Sequence, residues 1–172
     1  MLVLAISAVT AAPANASEPT VGAAKAQTCW LNTDTGVTKC FMTHADFVSA
    51  VTALTGGTLQ SAGATAPASA NPDEIQPLTT YILAIFYMDA GYSGTSLNIT
   101  TSHSTLCTSY SYTANSMPSG WNDDVSSFHS YGTCKTRLSE NINQGGSQYG
   151  PVANASALGV MNDAASSYWI TG

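Results

Sequence analysis

Two stretches of this chain carry oxygen ligands in the same order. Trp121-Asn122-Asp123-Asp124-Val125-Ser126-Ser127-Phe128 is followed 40 positions later by Met161-Asn162-Asp163-Ala164-Ala165-Ser166-Ser167-Tyr168. Both fit one template: an apolar residue, then [ND]-[ND]-x-x-[ST]-Ser, then an aromatic. With 17 Asn plus Asp and 43 Ser plus Thr among 172 residues, one match to the six polar-loop positions is expected about 0.05 times by chance. A matched pair therefore reads as a duplication. Consecutive Asn and Asp side chains on a turn offer hard oxygen donors, and the Ser at the fifth position returns another as the chain enters a strand. An oxygen-only set suits Ca²⁺, whereas Zn²⁺ takes His and Cys. The competing reading is that Asx and Ser side chains only build the turns by bonding their own backbone. The pairing of the two copies favours calcium.

Such loops must be held by strands on either side. From Thr79 onward short β-type runs (Tyr81 to Tyr87, Ser96 to Thr100, Val125 to Tyr131, Ser167 to Thr171) alternate with Gly, Asn and Ser clusters, which predicts an all-β sandwich. Upstream, residues 28 to 42 read as a hairpin. A two-residue turn at Asp34-Thr35 sets Asn32 opposite Val37 and Cys29 directly opposite Cys40. Thr43-His44-Ala45-Asp46 reads as a capping box, and Phe47, Val51 and Leu54 at i, i+4 and i+7 predict a short amphipathic helix that stops at Gly56-Gly57. Between Gly56 and Pro77 the chain turns to Ala, Ser, Thr, Gly and Pro without periodicity, the composition of a linker or surface excursion.

The paired loops resemble the calcium-binding double clamp of microbial βγ-crystallins, whose domains consist of two Greek-key motifs. Each motif of that family opens with an aromatic, four residues, an aromatic, one residue and Gly. Tyr87-Met88-Asp89-Ala90-Gly91-Tyr92-Ser93-Gly94 matches in full. In the second motif Ser139, Gln144 and Gly146 occupy those places, so the Gly survives and both aromatics are lost. The resemblance spans about residues 79 to 172 and implies a two-motif Greek-key sandwich of βγ-crystallin type, preceded by a small hairpin and helix. It also implies that each loop serves its own ion and its partner's. Asn122, Asp123, Asp124 and Ser126 form one half of the clamp; Asn162, Asp163, Ala164 (through its backbone) and Ser166 form the other. Backbone carbonyls near Ala90 and Ile142 complete the shells.

Composition excludes several other classes. Four basic against ten acidic residues give a net charge of -6, so there is no basic stripe to displace phosphate counterions; nucleic acid and anionic membranes are not expected partners. Only 8% of residues are charged, against about 25% in an average soluble protein, but 44% are apolar, enough for a core. The apolar run Met1 to Ala12, followed by Ala14-Asn15-Ala16, reads as a signal peptide over residues 1–16, cut before Ser17, although no basic segment precedes it. The expected organisation is therefore export to an extracellular location, a hairpin-and-helix region over 17–57, a linker over 58–78 and the β domain over 79–172. Four cysteines without a CxxC pair fit two disulfides, Cys29 with Cys40 and Cys107 with Cys134, while two other connectivities satisfy the same count. No catalytic constellation is visible around His44, His103 or His129, so an enzyme is not expected. An alternative to a calcium-stabilised module is a secreted inhibitor of metalloproteases, since the chain is also similar to crystallin-fold inhibitors from actinobacteria in export, size and two disulfides. In that reading a disulfide-braced loop such as Thr108 to Met117 would engage a secreted protease.

Overall fold

The computed structural model describes residues 26–61 and 79–172. The proposed signal peptide, and most of the stretch read as a linker, lie outside them. Strands β1 (Thr28–Asn32) and β2 (Thr38–Phe41) form the expected antiparallel hairpin, with Cys29 opposite Cys40 in register and bonded to it. The turn differs from the expected two-residue form: Thr33 to Gly36 make a four-residue loop closed by the Asn32 N–H to Val37 carbonyl bond. Thr33 has left the hairpin because its N–H donates to the Thr100 carbonyl of the neighbouring strand.

Helix α1 (His44–Thr55) starts at Thr43, whose hydroxyl accepts from the Asp46 N–H at 3.1 Å. That same hydroxyl donates to the Asp46 carboxylate at 2.7 Å, so the box closes between side chains. The helix ends at Gly56, which at φ 66° adopts the left-handed cap conformation that glycine accepts without strain. Phe47 and Val51 are buried and pack with Trp30 in a satellite core. Leu54, expected on the same stripe, is 56% exposed, because the buried stripe ends at Val51, about one helical turn after Phe47.

The stretch read as a linker begins with strand β3 (Leu59–Ser61), which pairs in parallel with the start of β4 (Thr80–Asp89). Then follow β5 (Ser93–Thr101), a single helical turn α2 (Leu106–Ser109), β6 (Tyr112–Ala114), β7 (Ser127–Ser130), β8 (Lys135–Ser139), β9 (Gln148–Val152), β10 (Asn154–Ala155) and β11 (Ser167–Thr171). One sheet has the order β10-β7-β4-β5-β1-β2 with β3 on β4; the other has the order β6-β11-β8-β9. Each sheet thus holds three strands of one motif and the third strand of the other: β10 joins β4, β5 and β7, and β6 joins β8, β9 and β11. This exchange is the all-β, two-motif Greek-key sandwich expected from the paired loops. The N-terminal hairpin is continuous with it, because β1 pairs in parallel with β5 from Thr28↔Ser96 to Asn32↔Thr100.

The core lies between the sheets. Phe86 meets Phe128 and Tyr168 edge-on at 6.2 and 5.3 Å, surrounded by Leu83, Leu97, Leu138 and Ile170, all fully buried. Each such side chain contributes about 1.5–3 kcal/mol. The second disulfide, Cys107–Cys134, ties α2 to the start of β8. No helix among the described residues is long and apolar enough to cross a membrane.

Candidate metal centre

The two Asx-Ser loops lie side by side and bond to each other reciprocally. In each loop the apolar residue just before the Asx pair and the residue at the fourth position point inward: Trp121 and Val125 in one, Met161 and Ala165 in the other, none more than 3% exposed. These anchors leave Asn122, Asp123, Asp124, Asn162 and Asp163 on the surface, with Ala164 partly covered. Asp123 and Asp163 both have positive φ, 59° and 52°, a conformation that Asp tolerates better than most residues. Their N–H groups bond across the pair: Asp123 donates to the Ala165 carbonyl and Asp163 to the Val125 carbonyl, each at 3.1 Å.

The side chains repeat this reciprocity. Ser126 donates its hydroxyl to Asp163 Oδ1 at 2.8 Å, and Ser166 donates to Asp123 Oδ1 at 3.3 Å. The Asn122 and Asn162 amides donate to the adjacent Asp123 and Asp163 Oδ2 at 2.6 and 2.7 Å. Asp124 makes no side-chain hydrogen bond among the described residues, and Ala164 contributes an N–H to the Met161 carbonyl at 3.3 Å. Each carboxylate is therefore oriented by an amide of its own loop and a hydroxyl of the other.

The turns holding Ala90 and Ile142 are clipped against the loop exits by residues that the sequence reading did not single out. Ser127 donates to the Asp89 carbonyl at 2.7 Å and accepts from the Tyr92 N–H at 3.0 Å. Ser167 does the same with the Asn141 carbonyl at 2.6 Å and the Gln144 N–H at 3.1 Å. Both serines are fully buried. They occupy the sixth template position in both copies, which was the available signal. The Ala90 carbonyl accepts the Ser93 hydroxyl at 2.9 Å and that of Ile142 accepts the Gly145 N–H at 3.2 Å; each keeps a second lone pair.

One of the two missing second-motif aromatics, that at Gln144, has a structural replacement. In the first motif Tyr87 and Tyr92 meet edge-on at 5.9 Å, and burial, with Tyr131 and Tyr92 beside it, pushes the Tyr87 phenol up. In the second, the Gln144 amide bridges the Ala114 and Tyr168 carbonyls at 2.9 and 3.0 Å. Tyr92 and Gln144 share a φ of 62°, and Gly94 and Gly146 share values near it, 78° and 74°.

Two other expectations change. The stretch Thr108 to Met117 is not a projecting loop, since β6 occupies its middle, Tyr112 and Met117 are buried, and the Met117 N–H is held by the Ser166 carbonyl. His103, around which no catalytic constellation is visible in the sequence, lies 3.6 Å from the Asp34 carboxylate, because the hairpin turn folds onto the end of β5. Burial alone would raise the Asp34 carboxyl. Hydrogen bonds from the Ser102 N–H and hydroxyl and from the Thr101 hydroxyl, with His103 alongside, hold it below the ordinary carboxylate value. The Ser102 hydroxyl is bonded to this carboxylate at 2.8 Å, so the three groups do not form a nucleophile-base-acid relay.

No family model and no curated protein matches the chain. Among solved structures it is similar to a βγ-crystallin domain from Clostridium beijerinckii, at 22% identity over 52% of this chain and 97% of that one, with a TM-score of 0.40. It is similar to the N-terminal domain of protein S at 20% identity, covering 52% of this chain and 96% of that one, with a TM-score of 0.38. A βγ-crystallin domain from Flavobacterium johnsoniae stands at 19% identity, 52% and 94% coverage and a TM-score of 0.37. Those domains are what the chain is similar to, and the two-key fold of residues 79–172 rests on its own strand order and registers.

Proposed function

We propose that the paired loops bind two calcium ions and that this binding stabilises the Greek-key domain of an extracellular protein. The reciprocal Asp–Ser pairs carry the reading. A carboxylate of one motif and a hydroxyl of the other already converge within hydrogen-bond distance at two places, and every converging side-chain donor is oxygen. Among the described residues no group of three or more His, Cys, Asp or Glu side chains comes together, so the donor set suits a hard cation held by mixed oxygens at modest affinity. Asp163 and Ser126 would hold one ion, with the Ala90 carbonyl; Asp123 and Ser166 would hold the other, with the Ile142 carbonyl. A bound cation would supply a cross-link between the motifs and offset the repulsion within an acidic chain. Asn122 and Asn162 orient the carboxylates. Two disulfides fit an oxidising compartment.

The loops differ at the third position, where Asp124 adds a negative charge and Ala164 offers only backbone. The two sites should therefore differ in affinity, and Asp124→Ala should bring them together. An ion bound only by the folded form adds about 2.7 kcal/mol at a hundredfold excess over Kd, so melting in calcium against chelator is the test. A raised Tm supports the reading, and an unchanged one removes it.

A further inference from the structure

The N-terminal hairpin is not required by the two Greek keys, yet it is stapled and anchored with care. It extends its sheet past the last strand of the opposite sheet, leaving the inner face of β1 and β2 across from β6 and the 115–119 segment. The result is a cleft of about 670 Å³, within the roughly 300–1,000 Å³ range of small-molecule sites. No charged side chain lines it, although the chain carries a net charge of -6.

Its walls are rich in hydroxyls: Thr33, Thr38, Ser111, Thr113, Ser116 and Ser119. Thr33 is used by the Thr100 carbonyl and Ser111 by Thr171; the other four make no side-chain hydrogen bond among the described residues. Tyr168 also lines the cleft, only 2% exposed, and its hydroxyl has no hydrogen-bond partner among the described residues. The fully buried hydroxyl left without a partner beside this cleft, among the described residues, is that of Tyr112, which also lines it; a buried phenol normally finds one. Leu31, Met117 and Pro118 supply apolar surface between these groups.

We propose that this cleft binds a neutral saccharide of one or two sugar units. Uncharged hydroxyls that both donate and accept match the hydroxyls of a sugar ring, and the apolar patches match its C–H faces. An anionic ligand would meet no cation here, and a cationic one no carboxylate. The hairpin then has a function: Cys29–Cys40 stiffens that wall, and Asp34, bonded to Thr101 and Ser102, fastens its turn to the end of β5.

The test is calorimetry and saturation-transfer NMR of the mature protein with cellobiose, maltose, lactose and N,N′-diacetylchitobiose, and with glucuronic acid as a charged control, in calcium and in chelator. Saturable binding of at least one neutral disaccharide is expected in both buffers, with glucuronic acid weaker. Tyr168→Phe should weaken binding about two- to tenfold, the value of one hydrogen bond. Thr38→Trp and Ser119→Trp, which obstruct opposite walls at exposed or half-exposed positions, should abolish it while leaving the melting transition cooperative. The proposal is overturned if no neutral disaccharide binds, if an extended neutral peptide binds in their place, or if folded Thr38→Trp and Ser119→Trp bind as the parent does.

Discussion

Adjacent serines in the loop have different work, and mutating each separates them. Ser127 is fully buried and makes two hydrogen bonds, to the Asp89 carbonyl and from the Tyr92 N–H. Ser127→Ala deletes both and leaves a carbonyl and an N–H to find water beneath a folded turn. One net hydrogen bond is worth about 0.5–1.5 kcal/mol, and an unsatisfied buried group costs about 1–3. Tyr92 is 38% exposed, so its N–H recovers part of the loss by hydration. The sum is about 2–3 kcal/mol, or roughly 5–10 °C in Tm for a chain of this size. Ser126→Ala removes one hydrogen bond to Asp163, whose carboxylate is exposed and rehydrates, at a cost of about 1 kcal/mol or less. Thermal and urea unfolding in chelator measure both. Near-equal losses would refute the division of labour, as would a Ser127→Ala change below about 0.5 kcal/mol. In calcium the order of interest reverses: Ser126→Ala should lose much of the calcium-dependent gain in Tm.

Gly94→Ala should destabilise the domain by about 1–3 kcal/mol, because φ at this residue is 78° and a methyl group would run into the Asp89 side chain; Gly146→Ala, at φ 74° and with its added methyl falling 2.7 Å from the Asn141 side-chain nitrogen, should behave alike in the same melts. Asp34 carries a depressed pKa in the folded state, so its contribution is complete above the unfolded carboxylate value of about 3.9 and fades as pH falls through the lower folded value. The difference in stability between parent and Asp34→Asn should accordingly shrink as pH is lowered from 5 toward 2, and a difference that grows over that range would contradict the hydrogen-bonded role.

Legibility in the sequence followed residue chemistry more than length. The Asx-Ser loops were visible because donor side chains repeat at fixed offsets, and the hairpin register because two cysteines fall at symmetric positions. The helix showed in its cap and glycine stop. Strands β6 and β10, of three and two residues, were not legible: they are defined by joining the other motif's sheet, a long-range pairing that leaves no local period. Strand β9 hid behind Gly150-Pro151. The four-residue turn was missed because Thr33 bonds to β5, a partner no local turn rule sees. Gln144 was readable only as a lost aromatic, since its amide is useful only once β6 and β11 present their carbonyls. The exposure of Leu54 depended on how far the satellite core extends.

The central claim is that two motifs share calcium through reciprocal Asp–Ser pairs. Calorimetric titration of the metal-free protein with Ca²⁺, run on the parent, Asp123→Ala, Asp163→Ala and the double variant, tests it most directly. The account predicts two sites in the parent, one in each single variant and none in the double, with all four proteins folded in chelator. Two sites retained in the double variant, or no calcium heat in the parent, would contradict it.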